Sequence, residues 1–178
     1  MPQFATYTNL RAWAADVEPG MLKEAASLPG KNTFLSHSSK DDDKVEGAIR
    51  ILKNHGARVY VDHFDPLNKT DDCAEIAAHV RSVISACKKF VLFATPQSKD
   101  SKWMPWDLGL ADGIRSHSNA AIFPASEEAA DQDWAQQEYL ALYRKIVWGK
   151  LQGYEKELWL VWDPKRNQAE RLEDWIGS

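Results

Sequence analysis

Cysteine is scarce in this 178-residue chain: Cys73 and Cys87 are the only two, far apart and in no CxxC pair. That excludes a disulfide framework and a thiolate metal ribbon, and two ordinary thiols suit the cytoplasm. The five histidines never fall at metal-ligand spacing, so no metal site is expected. Glycine is sparse as well, and it forms neither GxGxxG nor GxxxxGK followed by Ser or Thr, against a Rossmann dehydrogenase or a nucleoside triphosphatase. A GxSxG elbow is missing too, which removes the α/β-hydrolase reading. No apolar run approaches transmembrane length, and residues 1–13 lack the basic-then-apolar pattern of a secretory signal. Neither a membrane nor secretion is expected. Excess positive charge is also lacking: 22 Lys and Arg against 26 Asp and Glu leave a net charge of -4, which argues against bulk binding to nucleic acid.

What is present is 44% apolar and 27% charged residues, in a length that suits one globular domain with a full core. The chain is organised around residues 31–62, KNTFLSHSSKDDDKVEGAIRILKNHGARVYVD. A short apolar run at 33–35 stops at Ser36-His37-Ser38-Ser39, and Val45, Ala48, Ile49, Ile51 and Leu52 then recur at helical spacing until Gly56. A β-rich run at 57–61 follows, closed by Asp62. This is a βαβ unit, and its right-handed crossover implies a parallel sheet. The small polar residues after its first strand stand where open α/β sheets bind ligands.

Before that unit, residues 7–28 read as two short helices, with Leu10, Trp13, Val17, Leu22 and Ala25 on apolar faces, interrupted at Pro19-Gly20. They form a helical extension, 1–30, ahead of a domain at 31–178. After it come a loop at 63–70, a helix capped by Thr70 or Asp71 and running to about Cys87, and an apolar strand at 90–95. A helix at 103–114 carries Pro105 in its first turn, where proline is tolerated. A strand at 120–124, a long helix at 131–148, a strand at 157–162 and a final helix at 168–176 complete the chain. Strict alternation selects an α/β fold, a doubly wound five-stranded parallel sheet in flavodoxin-like order.

Four segments in register, FLSHSSKDD, GARVYVD, KKFVLFATPQSKDSKW and WMPWDLGLADG, resemble the first strand and loop, second strand, third strand and third helix of a TIR domain. The similarity is to the stand-alone bacterial kind, as in antiphage pairs of the Thoeris type. The resemblance implies cleavage of the nicotinamide–ribose bond of NAD+, with NAD+ as substrate and no separate cofactor. It also implies an ADP-ribose-type product read by a separate effector, and self-association with other TIR domains. The family places a Glu four residues after a Trp on the third helix; here Trp103 matches the Trp, and Asp107 keeps the carboxylate on a shorter stem. An anion there stabilises the oxocarbenium-like ribose left by nicotinamide. Asp107 is thus the expected catalytic residue, with Ser36, His37, Ser38, Asp41, Asp62 and Trp103 as expected substrate contacts.

Each of these residues also has a plainer reading. Asp107 fits a first-turn helix acid, the serines fit helix caps, Asp62 fits a loop cap, and Trp103 fits core packing. Asp41-Asp42-Asp43 lie on consecutive helix positions facing different ways, which suits a solvated first turn better than a metal cluster. Two other functions stay open beside the enzyme: a non-catalytic TIR module that works by docking, and a nucleoside deoxyribosyltransferase-like enzyme of related fold.

Overall fold

The computed structural model describes residues 2–15, 24–27, 29–62, 65, 70–98, 101–136 and 138–178. Its strands among these residues are β1 (Ala5–Thr6), β2 (Thr33–Ser36), β3 (Val59–Val61), β4 (Lys89–Ala94), β5 (Ala120–Ser126), β6 (Arg144–Gly149), β7 (Leu158–Asp163) and β8 (Gln168–Arg171). The helices are α1 (Tyr7–Ala15), α2 (Asp42–Asn54), α3 (Cys73–Ala86), α4 (Trp103–Arg115) and α5 (Leu172–Gly177). One sheet runs β3-β2-β4-β5-β6-β7-β8, with β1 added to β5. The segment β3-β2-β4-β5-β6 is parallel throughout, which is the expected flavodoxin-like order.

Alternation along the central strands builds the two faces. Val91 and Phe93 of β4 join Leu35, Val61 and Phe123 on one face, beneath α1, α2 and α5. Phe90, Leu92 and Ala94 join Phe34, Tyr60 and Ile122 on the other, beneath α3 and α4. Because both faces are covered, β4 is buried along its whole length, as the apolar run 90–94 required. Helix α3 starts one residue later than its sequence suggested. Asp72 caps it, accepting from the Ala74 and Glu75 amides at 2.8 and 3.3 Å, while Thr70 caps the Asp72 amide instead.

The carboxyl-terminal third departs most from expectation. Residues 131–148 do not form one helix: two 3₁₀ turns, Asp133–Gln136 and Glu138–Leu142, lead into β6, the fifth parallel strand. Glu138 adopts φ +50°, which breaks helical continuation; beyond it Arg144 and Lys145 pair with β5, and Ile146-Val147-Trp148 pair antiparallel with Val161, Leu160 and Trp159 of β7. Cross-strand packing decided these residues against their helical spacing. The strand expected at 157–162 is present as β7, but antiparallel to β6. The first four residues of the expected final helix form β8, reached through a turn with Asn167 at φ +50°. The sheet therefore has eight strands among the described residues, not five.

At the amino terminus a two-residue strand precedes α1, pairing Ala5 with Ala125 and Thr6 with Ser126. The second expected helix falls largely outside the described residues, as does the loop expected at 63–70 apart from Asp65 and Thr70. Trp159 and Trp175 are core residues, and the Trp175 indole N–H donates to the Ser118 carbonyl at 2.8 Å.

Candidate active site

The carboxyl ends of β2 and β3 and the start of α4 enclose a cavity of about 320 Å³. Each side chain arrives there for a local reason. Ser36 is the last residue of β2, and the chain then turns through His37 and Ser38 into a 3₁₀ turn that Ser38 caps by accepting from the Lys40 amide at 3.4 Å. Asp62 follows β3 directly, half-buried. Trp103, Met104 and Asp107 project from the first turns of α4, while Ile76 and Val80 of α3 supply an apolar wall. Ser39 and Ser101 complete the lining.

At the centre Ser36 Oγ donates to Asp107 Oδ2 at 2.8 Å, and both side chains are almost wholly buried. Burial pushes the Asp107 carboxyl up to about 7, the negative charge of Asp62 adds to that rise, and the Ser36 hydrogen bond works against it. Near neutral pH the group is therefore divided between acid and carboxylate. His37 turns its ring inward, with Nε2 2.9 Å from Asp42 Oδ1. Trp103 stands on the rim, 49% exposed, with its ring edge-on to Trp106 at 5.7 Å. That exposure distinguishes it from a core tryptophan.

Ser36, His37, Ser38, Asp62, Trp103 and Asp107 are thus brought together on one cavity, while Asp41 stands apart from its lining. Asp41 is fully buried behind the loop, where Thr95 Oγ1 donates to it at 3.1 Å, so it is not part of a solvated turn. Its neighbours diverge from it as their consecutive positions required: Asp42 meets His37, and Asp43 meets Arg11 and Lys44. No cluster of His, Cys, Asp and Glu suited to a metal occurs among the described residues. No local signal marks the apolar wall, because Ile76 and Val80, four apart on an amphipathic helix, have the spacing of ordinary core residues. A larger groove of about 580 Å³ runs along β7 and β8, but its lining includes none of the cavity residues named above.

A family model for the TIR domain matches residues 33–160. This chain belongs to the TIR family. All the cavity residues of the TIR domain fall within that match, whereas β1 and α1 precede it. The chain is also 32% identical, over 146 residues, to a probable 3′ cyclic ADP-D-ribose synthase, ThsB′, of Bacillus cereus (strain MSX-D12); the alignment covers 80% of this chain and 74% of that relative. None of the TIR chain's helices, among the described residues, is long and apolar enough to cross a membrane.

Proposed function

We propose that this TIR domain cleaves the bond between nicotinamide and ribose in NAD+ and delivers the ADP-ribosyl group to water or to a hydroxyl of the same nucleotide. The observation that carries the reading is the Ser36–Asp107 pair at the floor of a cavity rimmed by Trp103, in a chain similar to a probable cyclic ADP-ribose synthase. Nicotinamide leaves as a neutral molecule with the bonding electrons, so the step needs no acid, and positive charge develops on the ribose. Ionised Asp107 faces that charge, with Ser36 fixing one of its oxygens. The incoming hydroxyl then adds at the same carbon and gives up its proton, closing the reaction without a cofactor.

The hydroxyls of Ser38 and Ser39 suit those of a ribose, and Trp103 offers a ring face for stacking against a base. NAD+ is a cytoplasmic nucleotide, so we place the protein there, with its product read by a separate effector in antiviral defence. The half-exposed Trp103 and its neighbour Trp106 favour one further reading, self-association of TIR domains across this rim.

Purified protein incubated at high concentration with NAD+, with nicotinamide and adenine-containing products followed by chromatography and mass spectrometry, tests the proposal. Nicotinamide release abolished by Asp107→Ala supports it. Complex formation without release supports the docking module, and base exchange with a deoxynucleoside supports the deoxyribosyltransferase-like enzyme.

A further inference from the structure

The cavity's serine-bearing loop is held from behind by side chains outside the cavity lining. Residues 37–41 follow β2 and residues 95–98 follow β4. Between them both carboxylate oxygens of Asp41 lie at 3.1 and 3.2 Å from Thr95 Oγ1, which donates to them. Thr95 is fixed in turn by Ser98, whose Oγ accepts from the Thr95 amide at 2.9 Å and whose amide donates to Thr95 Oγ1 at 3.2 Å. A second, exposed bridge runs from Lys40 Nζ to the Gln97 carbonyl at 3.4 Å.

A carboxylate buried this deeply needs countercharge and cover. Lys44 of α2, itself buried, lies 3.5 Å from Asp41 and 2.7 Å from Asp43. The cover is α1: the Lys44 ammonium sits 5.0 Å from the centre of the Tyr7 ring. Three contacts hold α1 in place. Strand β1 is paired to β5, and Arg11 bridges to Asp43 at 2.7 Å. The Leu10 backbone packs so closely on Gly47 that a Cβ there would come within 2.3 Å of the Leu10 carbonyl oxygen.

We propose that Tyr7, Lys44, Thr95 and Asp41 are positioning residues, a buried clamp through which the amino-terminal helix, outside the family match, sets the loop that carries His37 and Ser38 into the cavity beside Ser36. Asp41 then serves the substrate through the loop it holds. The clamp's kinetic consequence rests on the NAD+ reading above, and its structural consequence does not.

Tyr7→Leu removes the ring that faces the Lys44 ammonium, and Thr95→Val removes the hydroxyl that bonds Asp41 while keeping the shape. Each is expected to raise KM for NAD+ about fivefold with kcat within about twofold, since the loop holds the parts of the substrate that do not react. Mere loss of folded protein lowers apparent kcat and leaves KM unchanged. Because the residues act as one unit, the double variant is expected to match Thr95→Val alone. Amide hydrogen exchange at residues 36–41 gives a readout that needs no substrate, and it is expected to quicken about fivefold or more in Thr95→Val. Unchanged exchange in both variants overturns the clamp whatever the NAD+ assay gives. Quickened exchange in a protein that neither binds nor cleaves NAD+ keeps the clamp and removes the function proposed for the cavity. Unchanged KM in a protein that does cleave NAD+ overturns the clamp's kinetic role.

Discussion

Two ionisable groups are buried in this molecule under opposite circumstances. Asp107, in the parallel half, faces a cavity, accepts a hydrogen bond from Ser36 and has Asp62 for a like-charged neighbour. Lys145, on β6 beside the antiparallel strands, is wholly buried, lines none of the cavities described above, and its Nζ has no hydrogen-bond partner among the described residues. Burial moves both away from their ordinary values, the carboxyl up to about 7 and the amine down to about 8, with Lys165 pushing the amine the same way and Asp163 opposing. A shifted group alone therefore does not mark a site. What separates Asp107 is that its shift coincides with a reachable cavity and a specific partner.

The sharpest test of that comparison is Asp107→Asn. Its carboxyl stays protonated in the folded chain while the unfolded chain loses the proton between about pH 4 and 7, so folding stability falls over that window, by up to about 4 kcal/mol. The variant is expected to lose NAD+ turnover by about 100-fold or more, yet to melt higher than the parent at pH 8. Turnover and thermal melts on the same samples check it, and a variant that loses activity by losing its fold would sink the assignment.

Lys145→Met is the converse. Below about pH 8 the amine is charged in both states and the cost of burying it is complete; between about 8 and 10.5 the folded chain releases the proton first, so stability rises with pH. The variant is expected to gain about 2 kcal/mol at pH 7, to lose that rise, and to turn over NAD+ at the parent rate. Chemical denaturation at pH 7 and 10 measures it. A loss of turnover would make Lys145 functional and erase the contrast with Asp107.

The sequence was most informative about the parallel half, where local and tertiary preferences agree. Val91 and Phe93 could only serve a strand covered on both sides, and the Ser36 to Ser39 run had to fall at a carboxyl edge, so strand order and cavity position were both readable. It was least informative at 131–148 and 168–171. There Ile146 and Val147 fit a helical face as well as a strand, and only the partner strand β7 decides between them. The site shows the same division. Asp107 and Trp103 are pointed to by the resemblance to TIR domains, whose third helix carries both, but the depth of Asp41 and its bond to Thr95 join residues 54 apart, which no local pattern reports.

Asp62 and Ser36 allow a finer test, because they tune Asp107 in opposite directions. Removing the Asp62 charge takes away one cause of the rise, so Asp62→Asn is expected to move the acid limb of kcat/KM about 1 pH unit lower. Activity at pH 6 then increases relative to pH 8. A variant that is uniformly slower with an unmoved limb would mean that Asp62 supports the fold or the substrate without tuning Asp107.

Ser36→Ala should give the smallest effect and the most specific one. The hydroxyl hydrogen-bonds the carboxylate and holds Asp107 below the value that burial and Asp62 would otherwise give it. Its loss is expected to move the acid limb upward and to lower kcat/KM about fivefold at pH 7, the worth of one such bond. At pH 9 the carboxylate is ionised with or without the serine, so most of that loss should disappear there. A serine needed for substrate contact alone would give the same loss at both values. Combining Ser36→Ala with Asp62→Asn should bring the limb back toward the parent position, since one change raises the carboxyl and the other lowers it. A double variant whose limb lies outside the range set by the two single variants would show that the three residues do not share one proton equilibrium, and the cavity would lose what sets it apart from the neighbourhood of Lys145.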